Sequence, residues 1–177
     1  MKMNFIITFS IAIIFSTACL ISKSRSDKKL INHPAPSFKA SALYPDGTVK
    51  DFNLSDHAGK NIILYFYPKD GSKCCTIQAK QFRDAIKTFE SKNILIVGIS
   101  SDTIKTHQKF QEEYSLPFLL VSDTQNDYAI SKMYHTNGWF GFAQRKTFLI
   151  NTQGIVFKIF EKIDIENQIS DILQCFK

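Results

Sequence analysis

Residues 61–75 read Asn61-Ile62-Ile63-Leu64-Tyr65-Phe66-Tyr67-Pro68-Lys69-Asp70-Gly71-Ser72-Lys73-Cys74-Cys75, and their reading decides the fold. Positions 61–67 are continuously apolar, β-branched and aromatic, the composition of a strand covered on both faces. Pro68 removes a ladder donor and ends that strand. A polar loop, 69–74, follows. From about Cys75 to Ser91, the residues Ala79, Phe82, Ile86 and Phe89 recur at helical spacing. Residues 94–99 form the next apolar strand. Strand, helix and strand in this order predict a right-handed βαβ unit. Its first loop, 68–75, lies at the carboxyl end of a central strand, where ligands of such sheets bind.

Working outward, strands at 37–43 and 48–54 flank the turn Pro45-Asp46-Gly47 and make an N-terminal hairpin. Downstream, Ser101 and Asp102 are placed to cap a helix running to about Tyr114. A short strand at 118–121 and a short helix at 127–134 follow. Residues 135–144 form a loop carrying Trp139, Phe140 and Phe142, read as loop packing or a subunit contact, or as an apolar approach for lipid hydroperoxides. Strands at 145–150 and 155–160 form a second hairpin. The chain closes with a helix from about Asp164, whose stripe is Ile165, Ile169, Ile172, Leu173 and Phe176, with Cys175 on its flank. The expected fold class is α/β: a thioredoxin-like fold with a central mixed sheet flanked by helices and an N-terminal β-hairpin.

The composition, 44% hydrophobic and 21% charged over 177 residues, is that of an ordinary globular chain. A domain of this size buries enough surface to fold without a disulfide framework. The formal charge is +6, but the lysines are scattered and no nucleic-acid motif is present, so no nucleic-acid partner is expected. Residues 1–21 have a different character. One basic residue, Lys2, precedes an apolar run from Phe5 to Phe15, and Ser16-Thr17-Ala18-Cys19 supplies small residues. That layout fits a cleaved signal peptide or a lipoprotein leader with Cys19 lipidated. It also fits a retained anchor, since 3–21 is about long enough to span a bilayer. The first two place the domain outside the cytoplasm, on the periplasmic side in a bacterium. Lys23, Arg25, Lys28 and Lys29 after the run favour a cytoplasm-facing domain if the anchor is retained. The organisation is then leader or anchor 1–21, linker 22–33 and folded domain 34–177.

The cysteines are Cys19, Cys74, Cys75 and Cys175. Their spacing is not that of a disulfide scaffold; it is that of reactive-thiol chemistry. Cys75 follows a buried strand through a short loop and opens a helix. Unpaired N–H groups and the helix dipole favour negative charge there, and a thiolate is the nucleophilic form. A buried structural cysteine is the competing reading. His33, His57, His107 and His135 show no ligand spacing and are read as surface or loop residues.

The stretch Pro68-Lys69-Asp70-Gly71-Ser72-Lys73-Cys74-Cys75-Thr76 resembles the peroxiredoxin active-site pattern, a proline, three residues, Thr or Ser, two residues, then cysteine. With Gly59-Lys60, Gly98-Ile99-Ser100, Leu116-Pro117-Phe118 and Arg145-Lys146-Thr147-Phe148-Leu149-Ile150, the chain is similar to the peroxiredoxin Q, or bacterioferritin comigratory protein, branch over roughly 34–174. The resemblance implies a thiol-dependent peroxidase that reduces hydrogen peroxide and organic hydroperoxides through a cysteine sulfenic acid, with no metal, flavin or haem cofactor. It implies that Cys75 is the peroxidatic cysteine, Arg145 the cation that stabilises charge, Ser72 the hydroxyl that orients peroxide, and Pro68 the shield of the thiolate.

Departures from the branch matter. The resolving cysteine that many members carry five residues after the peroxidatic one is Lys80 here, and the usual acidic residue after the Cys-Thr pair is Gln78, into which no mechanism is read. Three routes remain: a one-cysteine cycle with an external thiol, resolution by Cys175 within or between chains, or participation of Cys74. The reductant is thioredoxin, glutaredoxin or a small thiol, and the chain is a monomer or homodimer. The competing function is a non-catalytic, membrane-tethered thioredoxin-like module that senses redox state or binds a partner through Cys74 and Cys75.

Overall fold

Alternation along 61–67 sends Ile62, Leu64 and Phe66 into one core layer and Ile63, Tyr65 and Tyr67 into the other. The computed structural model describes residues 28–124 and 127–176. The hairpin comes first, as β1 (Lys39–Leu43) and β2 (Val49–Asn53), followed by a 3₁₀ turn at Leu54–His57 and by β3 (Asn61–Phe66). The helical run divides into α1 (Lys73–Asp84) and α2 (Ile86–Ser91), and β4 (Ile94–Ser100) follows. Next come α3 (Ile104–Tyr114), β5 (Leu119–Ser122) and α4 (Ala129–Met133). β6 (Lys146–Ile150), β7 (Val156–Phe160) and α5 (Gln168–Cys175) complete the chain.

The seven strands form one sheet in the order β2-β1-β5-β4-β3-β6-β7. β3, β4 and β5 are parallel neighbours and the remaining pairs are antiparallel, which makes the mixed sheet that the sequence predicts. Phe82, Phe89, Phe110 and Ile172 bring α1, α2, α3 and α5 onto the Tyr65 side. Ile130 and Tyr134 cover the opposite face with Phe52, Phe66 and Phe148. Gly98 lies opposite Tyr65 in the β3–β4 ladder. A Cβ on Gly98 would stand 2.7 Å from the Tyr65 ring, so the phenol lies flat over a residue without a side chain.

Several expectations are corrected. The helix expected at 75–91 starts two residues earlier and breaks at Ala85, whose φ of −94° and ψ of 4° leave the helical region. Neither Gly nor Pro marks that break. Thr103, not Ser101 or Asp102, caps α3, its hydroxyl accepting from the N–H of Thr106 at 3.3 Å. The closing helix begins at Gln168 rather than near Asp164. Part of the expected linker is docked: Lys28–Leu30 form a 3₁₀ turn, and the Asn32 N–H donates to the Val156 carbonyl at 2.7 Å. Trp139 and Phe140 are 79% and 92% exposed, so loop packing does not hold them. No helix among the described residues is long and apolar enough to cross a membrane. The leader expected at 1–21, including Cys19, lies outside the described residues.

Candidate active site

Cys75 sits in the first turn of α1, three residues after Ser72, the extended residue (φ −69°, ψ 145°) that precedes the helix. Thr76 donates its N–H to the Ser72 carbonyl at 2.8 Å and closes that turn. The N–H groups before it have no partner within the helix. Gly71, at φ +70°, turns the loop into the helix. Ser72 Oγ donates to the Lys69 carbonyl at 3.1 Å and braces the loop from inside. Half-buried Pro68 stands where β3 gives way to the loop.

The Cys75 side chain is 2% exposed, among Tyr65, Tyr67, Ala79 and Phe82, whereas its neighbour Cys74 faces solvent. Arg145 reaches it from the neighbouring strand. β6 pairs antiparallel with β3 with Lys146 opposite Phe66, so Arg145, one residue earlier, stands beside the end of β3. Its Nη2 donates to Cys75 Sγ at 3.1 Å. Its Nη1 donates to the Gln78 side-chain oxygen. Gln78 follows Cys75 by three positions on α1, on the same face, and is fully buried.

Gln78 is therefore part of the site, contrary to the sequence reading. Its Nε2 donates to Gln168 Oε1 at 2.8 Å, and Gln168 Nε2 donates to Gln81 Oε1 at 2.7 Å. The signal was its helical spacing from Cys75; the partner on α5 left no local trace.

His107 is a second correction, being fully buried rather than at the surface. Its Nδ1 lies 2.7 Å from Asp70 Oδ2, and Tyr67 donates its phenol to Asp70 Oδ1 at 2.7 Å. The Asp70 N–H donates to Asp102 at 2.8 Å, and Ser100 Oγ donates to the same Asp102 oxygen at 2.8 Å. Asp102, expected as a helix cap, thus ties the 68–75 loop to β4. Burial, then the Asp70 charge, pushes both Tyr65 and Tyr67 well above the usual phenol range, so both remain neutral beside the thiol. The spacing of His107, Phe110, Gln111 and Tyr114 is that of one helix face, a signal that could have placed His107 inside.

The remaining described thiol lies on α5. Cys175 is half-buried near the end of α5, its Sγ donating to the Asp171 carbonyl at 3.3 Å. The α5 start meets α1 at Gln78 and Gln81, and its end meets Lys92, whose Nζ donates to the Phe176 carbonyl at 3.4 Å. The structure therefore brings together Cys75 and Arg145, with Ser72 and Pro68 bounding the loop, while Cys175 lies on α5, seven residues after Gln168.

Residues 31–159 match the AhpC/TSA family. The chain is 38% identical over 130 residues to peroxiredoxin Bcp of Bacillus subtilis, covering 70% of this chain and 82% of that protein. It is 35% identical over 153 residues to a putative peroxiredoxin bcp of Helicobacter pylori, covering 84% of this chain and 98% of the relative. Among solved structures, it is similar to the bacterioferritin comigratory protein of Xanthomonas campestris, studied for its alkyl peroxide reduction activity. The TM-score there is 0.70 at 27% identity, over 78% of this chain and 89% of that one.

Proposed function

The chain belongs to the AhpC/TSA family, and on that premise we propose that it is a thiol peroxidase whose nucleophile is Cys75. The observation that carries the reading is the Arg145 guanidinium, 3.1 Å from a buried sulfur in the first turn of a helix. In the proposed reaction the Cys75 thiolate attacks one oxygen of a hydroperoxide. The S–O bond forms as the O–O bond breaks. Sulfur loses two electrons and becomes a sulfenic acid, while the departing oxygen takes a proton and leaves as water or an alcohol. Negative charge moves from sulfur toward the leaving oxygen, and a fixed guanidinium beside the sulfur stabilises both ends of that movement. Ser72 orients the peroxide by its hydroxyl once it turns from the Lys69 carbonyl, and Pro68 keeps water from the sulfur.

The sulfenic acid returns to thiol in a one-cysteine cycle. An external thiol attacks it, releasing water and forming a mixed disulfide, and a second thiol displaces Cys75. Lys80 occupies the position of the usual resolving residue. Cys175 is poorly placed to resolve the sulfenic acid, because it lies seven residues along α5 from Gln168, the residue that meets α1 at Gln78 and Gln81, or about 10 Å at 1.5 Å per residue. A disulfide needs a Cα separation of about 5.5 Å. Thioredoxin, glutaredoxin or a small thiol supplies the electrons. The layout of residues 1–21 supports an exported or membrane-associated placement, which the mass of the mature protein tests.

Steady-state reduction of hydrogen peroxide and of an alkyl hydroperoxide, with each of the three reductants in turn, tests the reading. Turnover abolished in Cys75→Ser and retained in Cys175→Ser is the expected result. Reversible oxidation without turnover under any reductant would move the redox-sensing module to first place.

A further inference from the structure

Arg145 is a donor on every nitrogen, and that fixes the direction of a buried chain of amides. Only the Gln78 oxygen can face the guanidinium, as it does. The Gln78 NH₂ must then donate elsewhere, and because Gln78 is fully buried that donor needs a partner inside the fold. That acceptor is Gln168 Oε1 at 2.8 Å. The Gln168 NH₂ in turn has one direction left, toward Gln81 Oε1 at 2.7 Å. Gln168 is the first residue of α5 and is itself buried; Gln81 is half-buried on α1 and ends the chain near the surface.

We infer that Gln168 is a positioning residue that holds Arg145 against Cys75 through the side chain of Gln78. The inference rests on reading Cys75 as the reactive thiolate and deepens it by bringing the closing helix into the site. Among the described residues the guanidinium is anchored on the Cys75 sulfur and the Gln78 oxygen. Without Gln168 the Gln78 NH₂ is a buried donor with no acceptor. Gln78 must then leave its place or turn, and turning sets NH₂ against the guanidinium. Either movement releases the second anchor and lets Arg145 swing from the sulfur. A neutral amide at 78 has a further consequence. Of the two anchors, only Cys75 is able to carry a full negative charge, so the amide does not compete with the thiolate for the guanidinium as a carboxylate would.

Alkylation of Cys75 by iodoacetamide in the full chain, followed by fragment-resolved mass spectrometry, tests this without peroxide. Gln168→Leu should alkylate about tenfold more slowly near neutral pH. Gln168→Glu should restore the rate, because a carboxylate still accepts from Gln78 Nε2. In an Arg145→Gln background, Gln168→Leu should have no further effect. A wild-type rate in Gln168→Leu, a failure of Gln168→Glu to restore the rate, or an undiminished effect without Arg145 would each overturn the inference. Should Gln168→Leu fail to fold, Gln81→Leu decides: about threefold slowing is expected, and an unchanged rate overturns it. Peroxide inertness of the wild type would instead remove the peroxidase reading, and the alkylation result would still decide this one.

Discussion

Arg145 Nη2 stands 3.1 Å from Cys75 Sγ although 70 positions of sequence separate them. The β3–β6 register creates the contact, because Lys146 pairs with Phe66 and leaves Arg145 at the end of the strand that leads to Cys75. Removing a fixed cation aimed at developing charge costs roughly a hundredfold in rate. Arg145→Gln should therefore slow oxidation of Cys75 by hydrogen peroxide by about that factor in competition kinetics. A rate within a factor of about two of wild type would remove the guanidinium from the account.

Asp70 and His107 form a pair with side chains 2% and 0% exposed. Removing one partner of a buried hydrogen bond leaves the other unsatisfied, at about 1–3 kcal/mol. His107→Leu should lower unfolding stability by about that amount in urea titrations. If the two residues act as a pair, adding Asp70→Asn should cost less than it does in the wild type, because the contact it would break is already gone. Additive losses would mean that the two residues do not act as a pair.

Gly98→Ala is expected to destabilise the domain by about 1–3 kcal/mol, because its Cβ would meet the Tyr65 ring at 2.7 Å. Calorimetry reads the effect directly. An unchanged melting temperature would show that the ring moves away freely.

Burial, then the charge of Lys60, holds His57 below the ordinary imidazole value, with Asp56 opposing. Folding thus favours the neutral ring, and the unfolded chain binds the proton first as pH falls. Stability should decline on acidification from about pH 6.5 toward the lower folded value. His57→Phe keeps the stack on Phe52, whose centroid lies 4.8 Å away, and removes the titration. Urea midpoints of the two proteins should diverge through that window; parallel curves would contradict the assignment.

What was legible in the sequence was what local pattern determines. The 61–67 run, the helical spacing after Cys75 and the two hairpins led to the sheet and its helices, and the family resemblance named Cys75 and, from the separate 145–150 segment, Arg145, which the fold brings into contact. What escaped depended on partners distant in sequence. Gln78 acquires its meaning from Arg145 and from Gln168, 90 positions away. Asp70 acquires its meaning from His107, 37 positions away. The Ala85 break carries no Gly or Pro, so no propensity announced it. Asp102 looked like a cap because its residue type suits one; Thr103 took that role, leaving the Asp102 carboxylate free for the loop.

The most direct test of the central claim is to add one equivalent of hydrogen peroxide to the full chain with a sulfenic-acid trap present and map the modified peptides by mass spectrometry. The account predicts rapid trapping on Cys75, lost in Cys75→Ser and unchanged in Cys175→Ser. Cys75 remaining reduced while free glutathione in the same tube is oxidised would contradict it.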